Sequence, residues 1–355
     1  MKRMKINTEL FPKTSNPKYS KKFYRSFKFS LKVLFILLFF LSNYISSQET
    51  KDPVSQIKKW GYVNSNSFEK FPPQYISRIQ RDYDIICITG LLLRGTGQLR
   101  FENELMNKIT KSKISKDPEK PIIYPMVGIS SVKDGITLLS SENSRLKSIE
   151  SIIKFLNTYN FKGVHLDFEG LPEDYSRPYG AYLKELKTQL NAQNIHLSIA
   201  IFPPLDFSDI NKDFHNPEYL SPYVDSVVLM AYDYHNPKTD PGCITGEKWA
   251  DNNIEELKKF LKPEQIWLGI PSYGYEWSKS QKTARVVSSR EAQLLKAGNP
   301  HQRETLGCTQ ITRKDGNKES IIFYSDLELR EKLLKIAEKH NLIGTALWRL
   351  GLEDE

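Results

Sequence analysis

From about Trp60 onward, short apolar runs alternate with longer stretches in which apolar residues recur at three and four, the pattern of parallel strands joined by crossover helices. Eight strands are predicted, at 61–63, 84–92, 121–129, 163–168, 196–202, 226–232, 266–273 and 343–348, with helical patterns at 144–159, 179–192, 254–261 and 327–340. Eight such units predict an α/β fold, a closed (β/α)8 TIM barrel. A doubly wound open sheet is the competitor, but no glycine-rich phosphate loop follows the first strand. The spacing breaks only between the seventh and eighth strands. There about 70 residues include Val286, Val287, the turn Lys314-Asp315-Gly316-Asn317 and the run 321–324. This reads as a small inserted α+β lobe at about 277–324, standing over the C-terminal mouth where barrel enzymes keep their active sites.

Composition adds a partner argument. The 355 residues are 39% hydrophobic, 12% aromatic and 26% charged, enough for a core and incompatible with a disordered or fibrous chain. The net charge of +9 suggests a nucleic-acid partner until it is located: ten Lys or Arg against the single acid Glu9 lie within residues 1–47, and the remainder is neutral. A neutral body offers no footprint for a polyanion, so no nucleic-acid partner is expected. The basic front runs into Val33-Leu34-Phe35-Ile36-Leu37-Leu38-Phe39-Phe40-Leu41 and then small and polar residues up to Ser47, the layout of a secretory leader. The uncharged stretch 33–48 falls short of the roughly 18–20 residues of a spanning helix. Residues 1–47 are therefore read as a signal peptide or N-terminal anchor, giving membrane contact only if uncleaved. The barrel occupies 48–355, and the protein is expected to be exported, whether periplasmic, cell-surface or secreted. In an oxidising compartment Cys243 and Cys308, both in turn-rich segments, could pair, while Cys87 in an apolar run reads as a buried thiol.

The candidate chemistry sits on the fourth strand. In Gly163-Val164-His165-Leu166-Asp167-Phe168-Glu169-Gly170, residues His165, Asp167 and Glu169 recur every second position and share a face. Two carboxylates at a strand tip cannot both ionise freely, so one keeps its proton to higher pH and can act as a general acid. An isolated D-x-E pair is more often a solvated strand end, but position at the tip of an apolar barrel strand favours a site. Metal catalysis finds no ligand pair such as H-E-x-x-H among six scattered histidines, and no G-x-S-x-G elbow serves a serine hydrolase. No cofactor is implied.

The fourth-strand segment resembles the Asp-x-x-Asp-x-Asp-x-Glu signature of family 18 glycoside hydrolases. Three more stretches resemble that family in the right order: Met230-Ala231-Tyr232-Asp233, Leu268 to Trp277, and Gly344 to Gly351. The closing Trp348-Arg349-Leu350-Gly351-Leu352-Glu353-Asp354 looks like the bacterial cell-wall and spore-cortex branch. The resemblance implies Glu169 as acid and then base, Asp167 as the residue orienting the substrate's N-acetyl group, and Tyr232 as the hydroxyl that holds the acetamide oxygen. It further implies Asp233 as a substrate-binding acid and Trp348 as the floor under the reacting sugar. Tyr62, Tyr273 and Tyr275 are candidate cleft aromatics, and Met230 is grouped with the substrate-binding residues although its chemistry is that of a packed barrel residue. The implied substrate is a polysaccharide containing N-acetylglucosamine, peptidoglycan or chitin, cleaved with retention through attack by the substrate's own acetamide.

The signature is incomplete. Lys162 and His165 replace its first two acids. His165 either donates to Asp167 and shifts the pH optimum or is a satisfied interior histidine. A catalytically silent, lectin-like barrel is the alternative that these departures leave open, and a surface protein using its lobe for protein contacts is a third.

Overall fold

Eight parallel strands close on themselves in the computed structural model, which describes residues 57–68, 70–101, 122–207, 212–316 and 318–354. The leader read from the sequence lies outside those residues. The barrel strands are, in order, Lys58–Val63, Ile85–Leu93, Ile122–Ile129, Gly163–Asp167, His196–Ile201, Ser226–Leu229, Ile266–Pro271 and Gly344–Trp348. Each pairs with its neighbour in sequence, and the first pairs with both the second and the eighth, so the ring has no free edge. Closure satisfies the backbone groups that an open sheet would leave unpaired.

Alternation along each strand sorts two cores. On the fourth strand Val164, Leu166 and Phe168 point outward into the large apolar layer under the helices. His165 points inward, where Trp60, Tyr62, Cys87, Tyr124 and Trp267 fill the barrel. Rings meet edge to face in that interior, with Trp60 centroids 5.3 Å from both Tyr124 and Trp267, a packed interior rather than a pore.

Helices form where caps and apolar stripes coincide. Ser141 accepts from Ser144 N–H and starts Glu142–Tyr159, and Asn160 ends it in the left-handed region at φ 56°. Asp326 caps Leu327–Lys339 in the same way. Among the helices that escape the periodicity reading are Pro73–Asp82 and Val132–Ser140. Glu247–Leu257 begins seven residues before the predicted start because its buried face includes the polar Asn253. That side chain accepts from Leu205 N–H at 2.8 Å and donates to the Trp249 carbonyl.

The lobe begins earlier than the sequence indicates. The seventh strand stops at Pro271, and after Ser272 the chain enters a second sheet as Tyr273–Ser278. This five-stranded antiparallel sheet runs Arg285–Ser288, Tyr273–Ser278, Lys318–Tyr324, Thr309–Asp315, His301–Arg303, with the helix Ser289–Lys296 beside it. Ser272, fully buried, secures the hand-off: its N–H donates to the Trp348 carbonyl, and its hydroxyl donates to the Arg349 carbonyl and accepts from Arg349 N–H. A disulfide between Cys243 and Cys308, Cα atoms 5.7 Å apart, ties the loop after the sixth strand to the lobe. Cys87 is free and buried, as its apolar run implies.

Candidate active site

The fourth strand delivers Asp167 and Glu169 to a cleft of about 430 Å³ at the C-terminal mouth. Its walls include Gly90 and Leu92 of the second strand, Met126 of the third, Val132 beyond it, and Trp348 of the eighth. Glu169 is exposed and hydrogen-bonds the Asp167 carboxyl. Burial raises the Asp167 pKa to about 6, and the bond from Glu169 partly offsets the rise. The Oδ1 atom of Asp167 is buried with no hydrogen-bond partner among the described residues. A buried carboxylate oxygen on a residue that lines the cleft is an acceptor for which the protein supplies no donor among the described residues.

Backbone hydrogen bonds explain how the sixth strand presents the next two residues. Past Leu229 the chain tightens, Ala231 N–H bonding Leu229 O and Tyr232 N–H bonding Met230 O, and Thr245 Oγ holds the Ala231 carbonyl at 2.7 Å. Asp233 then takes a positive φ of 61°. Gly269 on the seventh strand makes room for the Tyr232 ring: a Cβ there would lie 3.0 Å from Tyr232 Cε1 and 2.5 Å from Leu229 O. Tyr232 is buried, and its pKa is raised first by burial and then by the charges of Asp167, Glu169 and Asp233, so it stays a hydroxyl donor. Met230 packs with Ala200, Phe202 and Tyr232, and Trp348 lies against that cluster. It is a packed barrel residue beside Trp348.

Asp233 is held from the lobe. The hydroxyls of Tyr273 and Tyr275 both donate to its Oδ1, at 2.5 and 2.8 Å. These tyrosines are 4% and 5% exposed, so they stand behind Asp233 and engage their hydroxyls there instead of offering rings to a ligand. Tyr62 is likewise enclosed, its ring edge-on to Trp348 at 5.1 Å and its hydroxyl on His165 Nε2 at 3.0 Å. The expectation that these three line the cleft gives way to a supporting role, because each hydroxyl is bonded inside the protein.

His165 follows its interior alternative. Its Nε2 meets Tyr62 and its Nδ1 meets Ser198 Oγ at 3.1 Å, with no bond to Asp167, and it is fully buried. Burial, helped by His196, pushes its pKa down to about 3, so the imidazole is neutral across the working range. The substitution at this signature position therefore adds no charge beside Asp167, and the expected direct shift of the pH optimum has no electrostatic source here. Lys162 precedes the strand and is exposed, away from the tip.

Sequence reasoning missed His215. It sits in the short helical turn Lys212–His215, accepts from Phe202 N–H on Nδ1 at 3.1 Å, and donates from Nε2 to the Phe168 carbonyl at 2.8 Å. Phe168 is the residue between the two carboxylates, so this imidazole pins the tips of the fourth and fifth strands together. An N–H donor facing Nδ1 fixes one neutral tautomer, and burial lowers the pKa to about 4. No periodic or motif signal marks it.

The family model for glycosyl hydrolases family 18 matches residues 44–353. The chain belongs to that family. Among curated relatives it is 22% identical to the uncharacterized glycosylase YvbX of Bacillus subtilis over 61% of this chain and 65% of that one. It is 23% identical to the cortical fragment-lytic enzyme of the same species, over 61% of this chain and 53% of that enzyme. The chain thus spans one half to two thirds of these family 18 relatives. Two solved family 18 folds superpose well. The spore cortex-lytic enzyme SleL of Bacillus cereus gives a TM-score of 0.72 at 18% identity, covering 83% of this chain and 71% of that one. The C-terminal domain of a putative chitinase from Desulfitobacterium hafniense gives 0.75 at 21%, covering 84% and 95%. At such identities the likeness establishes the barrel fold.

Proposed function

We propose that this chain is an exported retaining glycosidase that cleaves the β-1,4 bond on the reducing side of N-acetylglucosamine in peptidoglycan or chitin. One observation carries the reading: an exposed Glu169 bonded to Asp167, both lining the cleft, with Asp167 Oδ1 buried and unpartnered among the described residues. Glu169 gives its proton to the glycosidic oxygen as the C1–O bond breaks. The acetamide carbonyl of the same sugar attacks C1, and its N–H goes to Asp167, which balances the positive charge of the oxazolinium ring. Tyr232 donates to the acetamide and fixes the angle of attack. Water, deprotonated by Glu169, then opens the ring, and two inversions at C1 leave net retention. The likeness to cortical fragment-lytic and spore cortex-lytic enzymes favours peptidoglycan. The Cys243–Cys308 bond supports an oxidising compartment, in line with the leader read from residues 1–47.

The full chain, incubated with each polymer and followed by product mass, should release N-acetylglucosamine reducing ends. Fractionating the producing cells should recover it outside the cytoplasm. Glu169→Gln should cut turnover by about 10²–10⁴-fold, the range for a lost general acid. Absence of products from both polymers, with the variant indistinguishable from the parent, sinks the proposal. Sugar binding that persists without products and survives replacement of Glu169 would establish the lectin-like alternative.

A further inference from the structure

Arg349 directly follows Trp348, a residue of the cleft wall, and is half-buried. Among the described residues its guanidinium has one hydrogen-bond partner, Ser67 Oγ at 3.3 Å, and no carboxylate reaches it. The contrast with other partly buried arginines is plain. Arg78 meets Glu353, Arg145 meets Glu185, Arg313 meets Glu276, and Arg330 meets Asp354. Withdrawing a guanidinium from water without a counter-charge is unfavourable and, at a binding cleft, points to an anion supplied from outside. Desolvation accordingly lowers the Arg349 pKa, with no acid opposing it.

The backbone around Arg349 is rigid, because both its N–H and its carbonyl are bonded to the Ser272 hydroxyl. Ser67 lies in the short helix Ser65–Phe68 after the first strand, and Ser65 packs over Gly90, which lines the cleft. Arg349 is therefore fixed at the side of the mouth formed by the eighth, first and second strands, across the barrel from Glu169 on the fourth. Resting on the glycosidase reading, the leaving sugar lies on the Glu169 side. The retained glycan then runs over Trp348 toward Arg349.

We propose that Arg349 receives a carboxylate carried by the sugar next to the reacting one on the glycon side, the chemistry of an N-acetylhexosamine with a 3-O-lactyl ether. A peptidoglycan strand with N-acetylglucosamine over Trp348 places such a sugar there, whereas chitin places a neutral one. Arg349 is thus a specificity residue selecting the carboxylate-bearing polymer, through the paired N–H geometry that a guanidinium offers a carboxylate.

The test compares stem-free glycan strands, whose lactyl carboxylates are ionised, with the same strands methyl-esterified, with stem-bearing strands and with N-acetylglucosamine oligomers. Esterification should raise KM for the unmodified full chain about tenfold, the value of a charge-assisted hydrogen bond. Arg349→Gln should abolish that preference and Arg349→Lys retain part of it. Equal KM on ionised and esterified strands, or a loss in Arg349→Gln that is the same on strands and oligomers, overturns the inference. So does a preference confined to stem-bearing strands, which would assign the charge to the peptide. The ester comparison requires no variant and survives misfolding of either substitution. Calorimetric affinities in Glu169→Gln protein separate the two readings. If nothing is cleaved yet ionised strands bind more tightly than esters, catalysis falls and the Arg349 site stands. Equal or absent binding removes the site.

Discussion

In the proposed mechanism Asp167 has to be negative when the acetamide attacks, yet burial disfavours its charge. Its raised pKa, about 6, means activity should fall as pH drops through that value, well above the ordinary carboxylate range. Asp167→Asn should remove this acidic limb from the kcat profile while lowering kcat at neutral pH; a limb unchanged in the variant would assign it to another group. The pair was legible because alternation along one strand puts both acids on one face. The bonds that decide protonation were not, since Tyr62, Ser198 and His215 reach the site from positions 103, 33 and 47 residues away in the chain from their partners. For the same reason a histidine in an acid's place looked like a charge change and proved to be a neutral interior group.

At the scale of elements, the strand tips depend on cross-links that sequence periodicity does not register. His215→Phe preserves a ring of similar shape but loses both bonds, freeing the Phe168 carbonyl between the carboxylates. The expected outcome is a fall in kcat of about tenfold with little change in KM, because geometry at the reacting centre and not binding is disturbed. A fall in KM and kcat together with a lowered melting temperature would make the role merely structural. The disulfide closes a loop of 65 residues that carries Tyr273 and Tyr275, the two tyrosines that hold Asp233 from ten residues before the loop begins. Cys308→Ser should cost about 2–4 kcal/mol of stability by chemical denaturation and raise KM as Asp233 loosens. Strand existence followed from apolar periodicity, whereas helices such as Pro73–Asp82 and Val132–Ser140 did not register in it, and boundaries slipped where buried polar residues such as Asn253, or the exposed Lys58 and Lys59 at the head of the first strand, broke the pattern.

For the whole molecule, buried titratable groups set the response to acid. His165 and His215 have folded pKa values of about 3 and 4, below the usual 6.5, so the unfolded chain takes up two protons that the folded one refuses as pH falls from 6.5 towards 4. Asp167 works the other way, holding one proton more tightly when folded. His196, held low by burial, and Asp233, held high by burial, oppose each other, which leaves a balance of about one proton, so stability should decline by about 1.4 kcal/mol per pH unit over that interval. Below it, Asp326 and Glu276, whose pKa values are lowered by hydrogen bonds from Arg303 and Thr309 and from Ser320 and Arg285 despite burial, lose their partners on protonation and add to the loss. Melting temperatures across pH 4–7 would show the slope, and a flat profile would contradict the neutral-histidine assignment.

The hand-off at Ser272 bears on how this scaffold can be re-engineered. One short peptide segment is shared between two sheets and clasps the backbone at Trp348 and Arg349, so the appended module and the end of the eighth strand are mechanically one part. Transplanting the module between relatives by cutting at its apparent borders would sever that clasp, and a working chimera has to carry the end of the eighth strand along with it.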